Sequence, residues 1–278
     1  MKFSNKDYIK YPCPICGSTP DQTFKVKENN ILLYISICPN DGLIFLNPRW
    51  TTKQYVKYYA DEFDRIKRKG IFKKKHSGFK KFNNRTIRID KCLKDLFISP
   101  KSILDIGAGN GMLLDFFKTT YDVDTYFIEP SIECKKQMES RGHISVDFST
   151  DKKFDLFVSS HVVEHVDDPI KYLNDVRLLM HDNSIFHICF PDSDNMVTGW
   201  FQVPHIYYFN KEIFDLMIKM IGLDIIEHDV YKTELWYTLK KCDLYNGKIE
   251  GGSKRKEQIK KIIDASKIKK QKIKYKKG

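Results

Sequence analysis

Apolar and polar positions along this chain fall into short alternating blocks. Tyr34–Ile37 and Leu43–Leu46 read as two short strands. Thr51 and Thr52 can cap a helix through Tyr55, Val56, Tyr58 and Tyr59, with Tyr55 and Tyr59 on one face. After Ile103 the rhythm becomes regular. Strand-like runs at Ile103–Ile106, Tyr126–Glu129, Ile144–Asp147, Phe154–Val158 and Ile185–Phe190 alternate with helical patterns. One helix is predicted from about Ile170 to His181, with Leu173, Val176, Leu179 and Met180 inward. Another follows Asn210, with Ile213, Phe214, Leu216, Met217 and Met220 inward, and stops at Gly222. Leu223–Val230 and Glu234–Lys240 read as a last pair of strands. The pattern predicts an α/β fold. It divides the chain into a cysteine module (1–50), a helical, basic connecting or lid segment (51–95), a main domain (96–245) and a lysine-rich tail (246–278).

The centre of this pattern is Ile103-Leu104-Asp105-Ile106-Gly107-Ala108-Gly109-Asn110-Gly111, a buried strand running into a glycine turn, with a helix at Met112–Phe117. Glycines let backbone approach a ligand closely, and the helix start favours an anionic group. A dinucleotide fingerprint needs G-x-G-x-x-G. Here the spacing is G-x-G-x-G, and Met112 holds the place of the third fingerprint glycine. This turn resembles motif I of the class I S-adenosylmethionine-dependent methyltransferases. The resemblance implies a Rossmann-like domain with a mostly parallel seven-stranded sheet and an antiparallel edge strand. It implies that Gly107, Gly109 and Gly111 hold the methionine part of the cofactor, and that Asp105 binds its amino end. Glu129 closes the second strand, 18 residues after Gly111, where an acid can accept both ribose hydroxyls. By the same resemblance, Asp147 approaches the adenine. Ser159-Ser160-His161-Val162-Val163-Glu164-His165-Val166 matches the motif after the fourth strand, with His161 lining the cofactor pocket.

Cys13-Pro14-Ile15-Cys16-Gly17 is a metal-binding knuckle, and Cys38-Pro39-Asn40-Asp41-Gly42 repeats it with an acid at the second ligand position. Cys13, Cys16, Cys38 and Asp41 are thus candidate ligands of a closed, structural Zn²⁺ site in a zinc-ribbon-like hairpin. The alternative is a degenerate ribbon that folds without metal. The segment Gly42–Arg49 resembles the exit from the cysteine-rich region of a bacterial group of methyltransferases, many of which act on sugars, including nucleotide-linked deoxysugars.

Composition adds less than its distribution. The chain has 278 residues, 41 % hydrophobic, and a net charge of +12. Residues 65–91 carry 12 Lys/Arg against one Asp, residues 248–278 carry 13 against three Asp/Glu, and the rest is net acidic. A uniformly basic nucleic-acid binder is excluded. The first basic run reads as a clamp for acceptor phosphates or as a solvated loop. The tail reads as a frayed helix, or as a contact for a polyanion or an acidic membrane surface. No apolar run approaches bilayer length, and seven cysteines without a leader pattern suggest reduced thiols and a cytoplasmic protein.

His205 lies before Ile206-Tyr207-Tyr208-Phe209 and resembles the base of the sugar C-methyltransferases. That resemblance makes His205 the base and places His165 in the acceptor site; Tyr58 and Tyr59 become candidate substrate contacts. A glutamate commonly precedes that base, and this chain has Pro204 there. Histidine suits proton removal because its ordinary pKa lies near ~6.5. The expected function is methyl transfer from S-adenosyl-L-methionine to a sugar or related polar small molecule, nucleotide-linked in one version, within carbohydrate biosynthesis. Two alternatives stand beside it. An RNA methyltransferase would use the basic segments, although the fourth strand lacks the Asn/Asp-Pro-Pro-aromatic tetrad and no RNA-binding motif is present. A non-catalytic cofactor-binding partner module would use the tail as its contact.

Overall fold

The computed structural model describes residues 8–20, 23–28, 31–58, 84–195 and 201–243. Tyr59, the basic run from Arg65 to Lys81 and the tail lie outside these residues. The first sheet begins with β1 (Thr23–Glu28), β2 (Ile31–Ile37) and β3 (Ile44–Leu46). β2 and β3 fall where the sequence places them. β1 alternates Phe24 and Val26 with Lys25 and Lys27, too short and too polar a run to stand out from a loop.

The second sheet contains β4 (Ser102–Ile106), β5 (Asp124–Ile128), β6 (Ile144–Ser145), β7 (Phe154–Ser160), β8 (Met180–Pro191), β10 (Leu223–Tyr231) and β11 (Glu234–Lys241). Its spatial order is β10-β11-β8-β7-β4-β5-β6. β4 to β8 run parallel, and β11 is antiparallel to both β8 and β10. The α/β class and the seven strands are as expected. The antiparallel pair closes the sheet, with the reversed strand β11 second from the edge. The sequence of crossovers reverses at β4, so the C-terminal ends of β4 and β7 flank the crevice where such sheets bind ligands.

Among the described residues, the domain is completed by α1 (Asn84–Asp95), α2 (Met112–Tyr121), α3 (Ile132–Glu139), α4 (Pro169–Leu179) and α5 (Lys211–Met220). Residues 52–58 are also helical. Asp168 caps α4 by accepting from Lys171 N–H, and Asn210 caps α5 by accepting from Ile213 N–H. α4 ends two residues before the predicted His181. Met180 is already extended, is 1 % exposed, and pairs with Phe154 of β7. Burying Met180 in the sheet outweighs one more helical hydrogen bond.

Alternation along the strands splits the core between the two faces. Ile103, Leu114, Phe117, Phe127 and Leu156 pack on one face with Ile89 and Leu93 of α1. Leu104, Ile106, Phe157, Phe186 and Ile188 pack on the other, continuous with Ile35, Ile37, Phe45 and Trp50 of the N-terminal sheet. The two sheets are stitched by β9 (Tyr207–Tyr208), which lies late in the chain but pairs with β3, Ile44 opposite Tyr208 and Phe45 opposite Tyr207. Arg49 makes a second stitch. Its buried guanidinium donates to the Asp167 carboxylate at 3.0 Å and to the Tyr207 hydroxyl at 3.2 Å, and lies 4.0 Å from the Tyr11 ring centre. Among the described residues no helix is long and apolar enough to cross a membrane.

Candidate functional site

The glycine turn lies where β4 meets α2. Gly107, Gly109 and Gly111 all have positive φ (73°, 56° and 72°), a conformation that only glycine adopts without cost. Gly107 N–H donates to Ile128 O at 2.8 Å, tying the turn to the end of β5. A Cβ on Gly107 would come within 2.4 Å of Val162 Cγ2, so the loop after β7 rests directly on this glycine. A Cβ on Gly109 would meet nothing within 4 Å, because that backbone faces an open cleft. The cleft has a volume of about 250 Å³, opens to solvent, and is lined by Asp105, Gly107, Gly109, Asn110, Arg85 and Ser160 among others.

The two acids of this region are brought together as the sequence suggests. Glu129 accepts from Gly109 N–H at 2.9 Å and from Ser131 N–H at 2.8 Å, so its carboxylate braces the turn. Asp105 is fully buried; burial, helped by the charge of Glu129, pushes its carboxyl up to about 8. An acid so placed calls for a cationic partner, and an amino group in the cleft would supply one. The turn, its brace and its open floor therefore fit the methionine and ribose ends of S-adenosylmethionine. Asp147 sits apart, in an exposed turn after β6 where it accepts from Ser149 N–H at 2.8 Å.

Beyond the cleft, side chains from two distant loops converge. His161 follows β7 with φ at 56°, and its N–H donates to Cys189 O. Its ring lies between Glu234 (2.8 Å) and Glu164 (3.2 Å). Burial disfavours its charge, but the two acids beside it, Glu164 and Glu234, outweigh burial and raise it to about 9. Arg85 of α1 adds a second cation to Glu234 at 2.9 Å. Burial pushes Glu234 up, yet His161 and Arg85 hold it down near 2.

Glu164 is 1 % exposed, and neither carboxylate oxygen makes a hydrogen bond of ordinary geometry. Burial raises its pKa, but the surrounding His161, His165 and His205 bring it below the ordinary value. Its backbone carbonyl accepts from both Ile206 N–H (2.8 Å) and Tyr207 N–H (3.1 Å), which anchors the loop carrying His205. His165 donates from Nδ1 to Pro204 O at 2.8 Å, and its ring lies 4.8 Å from that of His205. Burial, then the neighbouring His165, lowers His205 to about 4 and keeps it neutral. The two histidines singled out from the sequence thus share one site, and Glu164 supplies the carboxylate that Pro204 does not. Glu164 was visible inside the motif after β7, but nothing in the sequence showed that residue 205 returns to it.

In the N-terminal sheet the two knuckles have the same backbone. Gly17 N–H donates to Cys13 O and Cys13 N–H to Ser18 O; Gly42 N–H donates to Cys38 O and Cys38 N–H to Leu43 O. Sγ of Cys13, Cys16 and Cys38 and a carboxylate oxygen of Asp41 all lie within 4.8 Å of one another. Leu43 N–H fixes the other Asp41 oxygen at 2.8 Å. Tyr58 packs beside Trp50, ring centres 5.7 Å apart, and is not among the residues that line the glycine cleft.

Comparison with known proteins places this geometry. A search of curated proteins gave no match. Among solved structures, Burkholderia thailandensis 1,6-didemethyltoxoflavin-N1-methyltransferase with bound 1,6-didemethyltoxoflavin and S-adenosylhomocysteine is 15% identical with a TM-score of 0.54, covering 80% of this chain and 100% of that one. The plantazolicin methyltransferase BpumL, in complex with a monoazolic desmethyl analogue and S-adenosylhomocysteine, is 15% identical with a TM-score of 0.52, covering 68% of this chain and 94% of that one. The family described as methyltransferase domain matches residues 36–228. With well over half its length matched and the sheet order described above, this chain belongs to the methyltransferase-domain family and carries the fold of S-adenosylmethionine-dependent methyltransferases.

Proposed function

We propose that the protein transfers the methyl group of S-adenosylmethionine to a polar small molecule, with a sugar, free or nucleotide-linked, as the leading acceptor class. Its immediate support is the pair of imidazoles, His165 and His205, on one buried carboxylate beside the glycine cleft. Bound S-adenosylmethionine would supply an electrophilic methyl carbon on a sulfonium. Gly107, Gly109 and Gly111 would receive its methionine portion, Asp105 its ammonium, and Glu129 its ribose, for which Glu129 must release Gly109 N–H. His161 and Asp147 would border the same ligand.

The protein's remaining task is to orient the acceptor and take its proton. A neutral His205 can accept that proton, and Glu164 beside it stabilises the imidazolium that results. His165 supports the acceptor from the facing ring. Tyr58 and Tyr59 are the acceptor contacts proposed from the connecting segment. In the N-terminal sheet, Cys13, Cys16, Cys38 and Asp41 would hold a structural Zn²⁺, a role supported by the matched knuckles and the convergence of the four ligand atoms.

The test is methyl transfer from labelled cofactor to a panel of UDP-, GDP-, dTDP- and CMP-linked sugars, free polyols and RNA. Selective labelling of one sugar class is the expected result. His205→Ala should then lower turnover by about 10²- to 10⁴-fold and leave S-adenosylhomocysteine binding intact. Labelling of RNA alone would overturn the sugar reading, and cofactor binding without transfer to any acceptor would favour a non-catalytic module.

A further inference from the structure

The cluster around Glu164 has the composition of a metal site. Glu164, His165 and His205 each place one ligand atom within 4.8 Å of the other two. Two imidazoles and one carboxylate are a donor set for first-row divalent transition ions, and such a set leaves coordination positions open. We propose that Glu164, His165 and His205 bind a divalent transition-metal ion, distinct from any zinc in the cysteine module.

Three further observations carry the proposal. Both oxygens of Glu164 are buried without a hydrogen bond of ordinary geometry, in a protein interior where unpaired carboxylates are costly. The ring nitrogens nearest to them are His161 Nδ1 at 3.2 Å and His165 Nε2 at 3.7 Å, and His161 lies closer still to Glu234. Second, His165 donates its Nδ1 proton to Pro204 O. That bond fixes the tautomer and turns the Nε2 lone pair toward Glu164, the arrangement that orients histidines already serving as ligands. Third, the two ligand-bearing loops are tied to each other by the bonds from Ile206 and Tyr207 N–H to Glu164 O, so the donors are held before any ion arrives.

The ion's role rests on the methyl-transfer reading of the same site; its binding does not. A hydroxyl of the acceptor coordinated at an open position loses its proton to solvent more readily. The freed oxygen lone pair forms the new O–CH₃ bond as the sulfonium C–S bond breaks, and sulfur keeps that bond's electron pair. His205 then serves as a ligand, and the proton leaves by ionisation at the metal instead of by transfer to the imidazole.

The experiment is calorimetric titration of Mn²⁺ into the full chain carrying one equivalent of Zn²⁺ for the cysteine module, because manganese binds carboxylate-containing sites and does not displace zinc from thiolates. One manganese site is expected. Glu164→Gln and His205→Ala should each weaken it by about 10- to 100-fold, and Cys16→Ser should leave it unchanged. S-adenosylhomocysteine binding by every variant checks that each is folded. A repeat with Co²⁺ separates the sites by colour, since the cysteine module gives an intense thiolate band and a site of Glu164, His165 and His205 offers no thiolate. No manganese or cobalt binding outside the cysteine module, or binding indifferent to both cluster variants, would overturn the proposal. A chain that binds manganese but methylates no sugar keeps the metal site and loses the acceptor reading. A chain fully active on sugars after chelation of the cluster keeps the acceptor reading and loses the metal's role.

Discussion

The glycine turn and the histidine cluster lie side by side, yet they are built in opposite ways. The turn is contiguous: Asp105 to Gly111 is seven residues, and Glu129, which braces it, directly follows the adjacent strand. Its contacts are largely backbone, made possible by missing side chains. The cluster is dispersed: Glu164 and His165 lie some forty residues before His205, and Glu234 and Arg85 enter from two further elements. Its contacts are side chain to side chain, and it depends on a loop whose far end is tied into another sheet. A site made of backbone tolerates change in its surroundings, whereas a site made of converging side chains inherits every shift in its supports.

Glu164→Gln should show the largest separation between the two. It keeps the shape and removes the charge, so turnover should fall by about 10²-fold or more, while S-adenosylhomocysteine affinity measured calorimetrically stays within about threefold of wild type. Equal losses in both would mean that turn and cluster are one coupled unit.

Arg49→Ala comes next. The change leaves the partly exposed Asp167 carboxylate and the buried Tyr207 hydroxyl without their cation, at a cost of about 2–4 kcal/mol in a denaturation midpoint series. Because Tyr207 adjoins the His205 loop, turnover should drop more than cofactor affinity does. Unchanged stability would show that the guanidinium is not what joins the sheets.

Asp105 gives a smaller, graded effect with a definite sign. Its folded value, about 8, lies above the ordinary 3.8, so the folded protein keeps a proton that the unfolded chain releases. Its contribution to stability therefore declines as pH rises from about 4 to about 8. A ligand ammonium needs the ionised form, so S-adenosylhomocysteine affinity should rise up to about tenfold per pH unit below 8 and then level off. Asp105→Asn should flatten the profile; a slope that survives the substitution would assign it elsewhere. The smallest effect on folding is expected from Gly109→Ala, whose Cβ points into the cleft and meets no protein atom but whose φ is positive: about 1 kcal/mol of stability by thermal denaturation of the ligand-free protein.

The same contrast explains what could be read in advance. The order of strands and helices, the turn with Asp105 and Glu129, and the cysteine knuckles are all written locally, as periodicity and spacing over a few residues. The acid and the glycines pack against each other because adjacent parallel strands place them so. Nothing local pairs Tyr207 and Tyr208 with Ile44 and Phe45, and nothing local brings Glu164 under His205. Those contacts depend on sequence separations of about 160 and 40 residues, where only the assembled core decides. Arg49 closes the segment Gly42–Arg49, but a buried arginine looks like a surface one until its partner Asp167 is in place. β1 is hidden for a different reason: four of its six positions are lysine or otherwise polar, and only pairing with β2 makes it a strand.

β9 has a consequence for how this protein can be recombined. Two residues of the loop that carries His205 complete a sheet that the first fifty residues begin. The borders at which one would cut by sequence therefore do not bound independent parts. A chimera that exchanged the N-terminal module alone would have to preserve the Ile44–Leu46 edge, its Arg49 stitch and the Tyr207–Tyr208 strand together. The unit that can be grafted or inherited is that three-part joint, and change at either end of the chain is constrained by the other.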